Sequence, residues 1–112
     1  MMYYDFEAGN KTYKLRLNTR NVVALEKELG CNPLAIFGNG DIIPTVSAMV
    51  AVLHASLQQY QHGITRDATY DIFDEYLENN SATDFINVIL EVYKVSGIIR
   101  VPDDNEDENE KN

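Results

Sequence analysis

The sequence predicts an α+β fold, mostly helical: an N-terminal β-hairpin packed on a bundle of about four helices, followed by a disordered acidic tail. Three observations carry this. Between Tyr13 and Gly30 the pattern changes from period two to helical within a few residues. Further along, apolar residues recur at helical spacing in segments opened by Asn-Pro, Thr or Ser and closed by Gly. Beyond Pro102 no apolar residue occurs.

The hairpin is expected over residues 3–17, with Tyr3–Glu7 and Thr12–Leu17 as strands and Ala8-Gly9-Asn10-Lys11 as their turn. Tyr4 and Phe6 share one face, opposite Tyr3, Asp5 and Glu7. In the second strand Tyr13, Leu15 and Leu17 alternate with Lys14 and Arg16. A lone hairpin is marginal in water, so this one must lie on helices or pair with another chain's edge.

The first helix, 19–29, is capped by Asn18 or Thr19, carries Val22, Leu25 and Leu29 as its apolar stripe and stops at Gly30. Asn32-Pro33 opens a short helical piece, 33–37, and Gly38-Asn39-Gly40-Asp41 reads as a loop. A long helix follows at 45–61, opening near Pro44 or Thr45, with Gly63 as its stop. It is uncharged throughout and apolar on two sides, Val46, Met49, Val50, Leu53, Leu57 and Tyr60 on one and Ala48, Ala51, Val52 and Ala55 on the other. Such a helix is central in a core, or is buried by a second subunit, so homo-oligomerisation stays open.

Thr65 caps a helix at 66–78 whose inward residues are expected to be Tyr70, Phe73 and Leu77, with Asp67, Asp71, Asp74, Glu75 and Glu78 as a solvated face. Ser81 and Asp84 form a near-match to a capping box and open the last helix, 82–96, buried through Phe85, Ile86, Ile89, Val92 and Tyr93. Ile98–Val101 is expected to be extended and to pair with the hairpin. Residues 1–101 thus form a single domain and 102–112 a disordered acidic tail.

Composition narrows the function. The chain has 112 residues and a formal charge of −9, from 18 acids against 9 bases, which disfavours nucleic acid and anionic membrane surfaces as partners. Five of the bases (Lys11, Lys14, Arg16, Arg20 and Lys27) lie in the first 30 residues, whereas the tail is strongly acidic, so the two ends differ in sign. No basic, apolar leader opens the chain, and the uncharged 42–61 stretch is too polar for a membrane span. With one cysteine, Cys31, and hence no internal disulfide, a cytoplasmic setting is the simplest.

No set of residues reads as catalytic, and no cofactor or metal is expected. His54 and His62 lie about 12 Å apart along a continuous helix, too far for one metal ion. Cys31 has no histidine placed beside it by any motif and is expected to pack rather than react. Gly38-Asn39-Gly40 lacks the spacing of a phosphate loop. The chain reads as a non-enzyme. Seven tyrosines, three of them on the hairpin (Tyr3, Tyr4 and Tyr13), make that hairpin either a docking edge or an ordinary amphipathic layer.

The strand running into Ala24–Gly30, ALEKELG, resembles the opening of tail assembly chaperones of long-tailed bacteriophages, prophages and gene transfer agents. The general plan of residues 1–101 is similar too. The resemblance implies a non-enzymatic protein made in the bacterial host cytoplasm, absent from the mature virion, that keeps the helical tape measure protein soluble during tail assembly. It implies the tape measure protein as partner, with the tail tube protein a further candidate, and a longer frameshifted product in many relatives. The alternative is a structural subunit of a phage tail or head–tail connector. A holdase needs apolar surface, and Tyr4, Phe6, Tyr13, Leu15, Met49 and Val52 are the candidate partner-binding residues, chosen from the hairpin and the uncharged helix rather than from any family motif.

Overall fold

The computed structural model describes residues 2–37 and 43–100. Two strands, β1 (Tyr4–Ala8) and β2 (Lys11–Leu15), pair antiparallel with Phe6 opposite Tyr13 and Tyr4 opposite Leu15. Their loop is shorter than the four residues expected, because Ala8 and Lys11 already pair and only Gly9-Asn10 turns. Gly9 takes φ 62° while no described non-glycine residue has positive φ, the sign pattern of a type II′ turn.

Helix α1 (Thr19–Leu29) has the expected bounds. Of its two candidate caps Asn18 serves, its side chain accepting from the N–H of Asn21, and Gly30 ends the helix in the left-handed region. Helix α2 (Pro33–Phe37) also has the expected bounds and opens with the Leu34 N–H donating to the Asn32 side chain.

Helix α3 (Val46–Leu57) starts behind Thr45 as expected but ends before residue 61, and residues 58–60 continue as turns. It is the centre of the molecule, touching α1, β2, α4 (Arg66–Leu77) and α5 (Ala82–Val95). Every residue from Ala48 to Leu57 is buried except half-buried His54. The helix thus belongs to the core of the single chain. Truncating a centre such as Leu53, with no exposed surface, would cost about 2–5 kcal/mol.

The face of α4 differs from the expectation. Tyr70 and Leu77 are exposed, and Thr69, Ile72, Phe73 and Tyr76 face inward. The Thr69 hydroxyl is satisfied by donating to the Thr65 carbonyl at 2.8 Å, which lets a polar residue join the buried stripe. In α5 the Ser81–Asp84 capping box is complete, and Val88 takes the buried place expected of Ile86, which is half-buried.

Phe6 stacks on Tyr76 at 5.0 Å and meets the edge of Phe85 at 5.8 Å, while Phe73 meets Phe85 at 5.1 Å. This aromatic group ties β1 to α4 and α5. The expected strand at 98–101 does not form among the described residues: the only sheet there is two-stranded, and the N–H groups of Ile98 and Ile99 turn back to the Tyr93 carbonyl instead. Gly38–Asp41, Val101 and the tail at 102–112 lie outside the described residues. Among those described, no helix is long and apolar enough to cross a membrane.

Candidate functional site

The hairpin has two dissimilar edges. On β2, the Lys14 N–H donates to Gln61 Oε1 at 2.8 Å, and Gln61 Nε2 donates back to the Lys14 carbonyl at 2.9 Å. Two residues on, the Arg16 N–H donates to the Ser56 carbonyl at 3.0 Å. The β2 edge is thus closed at Lys14 by the turn after α3, and the chain just beyond β2 is held by the end of α3.

The β1 edge follows from the same bonds. Because both backbone groups of Lys14 point away from β1, the Asp5–Lys14 pair is of the non-hydrogen-bonded kind, and Glu7–Thr12 likewise. The N–H and C=O of Asp5 and Glu7 therefore point outward, and no described residue pairs with them. A groove of about 230 Å³ borders this edge, lined by Tyr4, Asp5, Phe6 and Glu7 of β1, by Tyr76 and Asn80 at the end of α4, and by Val88. Its surroundings are acidic. Burial, then the carboxylates of Glu91 and Glu7, push the Tyr4 hydroxyl above its ordinary pKa. Burial, then Asp84, raise Tyr76 to about 12.

A second concavity, about 180 Å³, lies between α1, α2 and α5, walled by Leu17, Val22, Leu25, Leu34 and Ile98, with Tyr93 facing it and Glu26 and Asn32 at its polar side. Burial pushes the Tyr93 hydroxyl well up. Across the molecule, Arg66 binds Glu28 at 2.7 Å, joining α4 to α1. That bond pulls the Glu28 carboxyl down, while burial, then Arg66, pulls His54 down. Among the described residues no three His, Cys, Asp or Glu side chains gather as a metal site.

A family model matches residues 5–107. The chain belongs to DUF6096, a family of unknown function. No curated protein and no solved structure matches the chain.

In this DUF6096 member the six candidate partner-binding residues divide sharply. Phe6, Leu15, Met49 and Val52 are each 1% exposed, so in the single chain they belong to the core and present no surface to a partner. Tyr4 and Tyr13 are half-buried, Tyr4 in the groove beside the β1 edge. Period-two and helical patterning select buried positions, and so they chose core residues. Tyr3 parts from the other two hairpin tyrosines onto the opposite face, where it meets Tyr60 edge-on at 5.4 Å and lies under the Lys14 ammonium at 4.8 Å. Cys31, expected to pack, is exposed because Gly30 turns the chain out of α1 before it. The outward backbone of Asp5 and Glu7 leaves no local signal in the sequence, since edge exposure depends on what reaches the other strand.

Proposed function

We propose that this chain is a non-enzymatic binding protein of the tail assembly chaperone kind, which holds the tape measure protein of a long-tailed phage or prophage soluble until tube subunits enclose it. The open β1 edge beside a groove lined by Tyr4, Tyr76, Asn80 and Val88 is the observation that supports partner binding. The strand-into-ALEKELG opening supports the chaperone class. The formal charge of −9 suits a holdase, which must stay dissolved while its client is not. Its setting in this reading is the bacterial host cytoplasm.

The test is co-expression of the full chain with a tape measure protein of the same genome. Soluble client that copurifies with this chain, together with absence of the chain from purified virions, is the expected result. Client left insoluble, with this chain retained in virions, would overturn the reading in favour of a tail or head–tail structural subunit.

A further inference from the structure

From the asymmetry of the hairpin we infer that β1 is a docking edge for an extended segment of a partner protein in which Lys or Arg alternate with apolar residues, added as a third strand beside Asp5 and Glu7. The inference rests on the partner-binding reading above and names the chemistry of the bound segment.

Backbone geometry comes first. Two residues, Asp5 and Glu7, each turn an N–H and a C=O outward at the two-residue spacing of a ladder, with no described residue pairing with them. Hydrogen bonds from such an edge bind an extended chain with little regard for sequence, and alternating side chains then select it. On the solvent face the selecting groups are the exposed carboxylates of Asp5 and Glu7, which favour cations directly across the strand. On the other face lies the groove between β1, Tyr76, Asn80 and Val88, where aromatic and aliphatic carbon stands beside polar atoms.

The protein's own β2 shows what β1 accepts. Lys14 stands opposite Asp5 on the outer face, while Tyr13 and Leu15 stand opposite Phe6 and Tyr4 on the inner one. A partner strand on the open edge meets the same alternation.

A second copy is a poor occupant for two reasons. Pairing β1 with β1 about a two-fold axis sets Asp5 and Glu7 against the same carboxylates, and like charges directly opposite are destabilising. Pairing β1 with a neighbour's β2 requires a free β2 edge, but Gln61 takes both outward groups of Lys14 and Ser56 takes the N–H of Arg16 just beyond, which leaves Thr12 alone with outward groups. The carboxylates that keep copies apart admit a basic strand.

The experiment uses the full chain and a fluorescein-labelled peptide of alternating lysine and valine, read by fluorescence anisotropy. Controls are the same peptide with glutamate for lysine, and one with the backbone nitrogens of one edge methylated. The glutamate peptide is expected to bind about tenfold more weakly or worse, and methylation to abolish binding. Two variants act on different terms: Asp5→Lys with Glu7→Lys removes the charge, and Glu7→Pro removes an outward N–H without taking a bond from the β1–β2 ladder. Each is expected to weaken the lysine peptide about tenfold, with far-ultraviolet circular dichroism and thermal midpoint confirming the fold. Absence of binding, equal binding of the methylated peptide, or folded variants that bind like the parent would each overturn the inference. Co-expression with the tape measure protein separates the two levels. A charge-reversed variant that still solubilises the client leaves the chaperone reading standing and removes the edge from it. Peptide binding by a parent that fails to solubilise the client does the reverse.

Discussion

The Gln61 side-chain amide pairs with the Lys14 backbone in both directions, accepting at 2.8 Å and donating at 2.9 Å, as a neighbouring strand would. It also donates to the Leu57 carbonyl at 2.9 Å, fixing the amide at the end of α3. A single residue after a helix thus substitutes for a missing strand. Gln61→Ala should cost about 1–2 kcal/mol, since two backbone groups lose their partner. It should also open β2 to edge pairing, so sedimentation velocity should show concentration-dependent self-association absent from the parent.

Gly9 and Gly30 both hold positive φ, but their surroundings differ. A Cβ at Gly9 would run into the Glu75 carboxyl, whereas one at Gly30 meets nothing. Gly30→Ala should therefore cost about 1 kcal/mol, from backbone strain alone. Gly9→Ala should cost more, about 2 kcal/mol, because Glu75 must also move off the turn. Urea denaturation of the two variants side by side measures the difference.

Alkali should loosen the fold through its tyrosines. Tyr76 is raised from 10.0 to about 12, chiefly by burial, so its neutral form is favoured in the folded state. Its contribution is fully present below pH 10 and is lost as pH rises from 10 toward 12, where the unfolded chain has released a proton that the folded chain retains. Tyr4 and Tyr13 act in the same direction. The midpoint for urea should fall across that window, and less steeply in Tyr76→Phe. A parallel slope in the variant would remove Tyr76 from the account.

Arg16 spans the two ends of the described chain, its Nη1 donating to the Met2 carbonyl at 2.8 Å and to the Val95 carbonyl at 2.7 Å. Val95 closes α5, so the guanidinium satisfies one of that helix's terminal carbonyls and meets the negative end of its dipole. Arg16→Ala should cost about 2–3 kcal/mol. Arg16→Lys should recover only part, because the shorter lysine stem places its ammonium short of the Nη1 position that meets both carbonyls. Faster amide exchange at Leu17, which donates to the Ser96 hydroxyl at 2.9 Å, is the local readout.

The parts legible in sequence were those settled within a few residues. Asn18, Thr45, Thr65 and Ser81 each cap the helix that follows, and Gly30 ends α1, because a cap and its partners lie three or four positions apart. The face of α4 is ambiguous in sequence because Tyr70/Phe73/Leu77 and Thr69/Ile72/Phe73/Tyr76 both fit a helical period, and only the neighbours Phe6 and Phe85 decide between them. The strand expected after α5 fails for a related reason. Apolar residues at 98 and 99 suit a strand or a chain folded back on the helix end, and the Tyr93 carbonyl captures both amides. That the hairpin is a candidate docking edge was legible, but which edge is open was not, since it is defined by Gln61 arriving from 47 residues away.

The clasp between the hairpin and the end of α5 joins groups 79 residues apart in sequence. Synthesis delivers the hairpin well before its fastening. On the ribosome β1 and β2 emerge without α3, whose Ser56 carbonyl secures Arg16, and without α5, whose carbonyl and serine secure Arg16 and Leu17. The hairpin is therefore unfastened until those helices emerge, and its last clasp closes only after Ser96 has cleared the exit tunnel. Nascent chains arrested before α5 should be cut readily within β2 by a protease, and chains released whole should resist it.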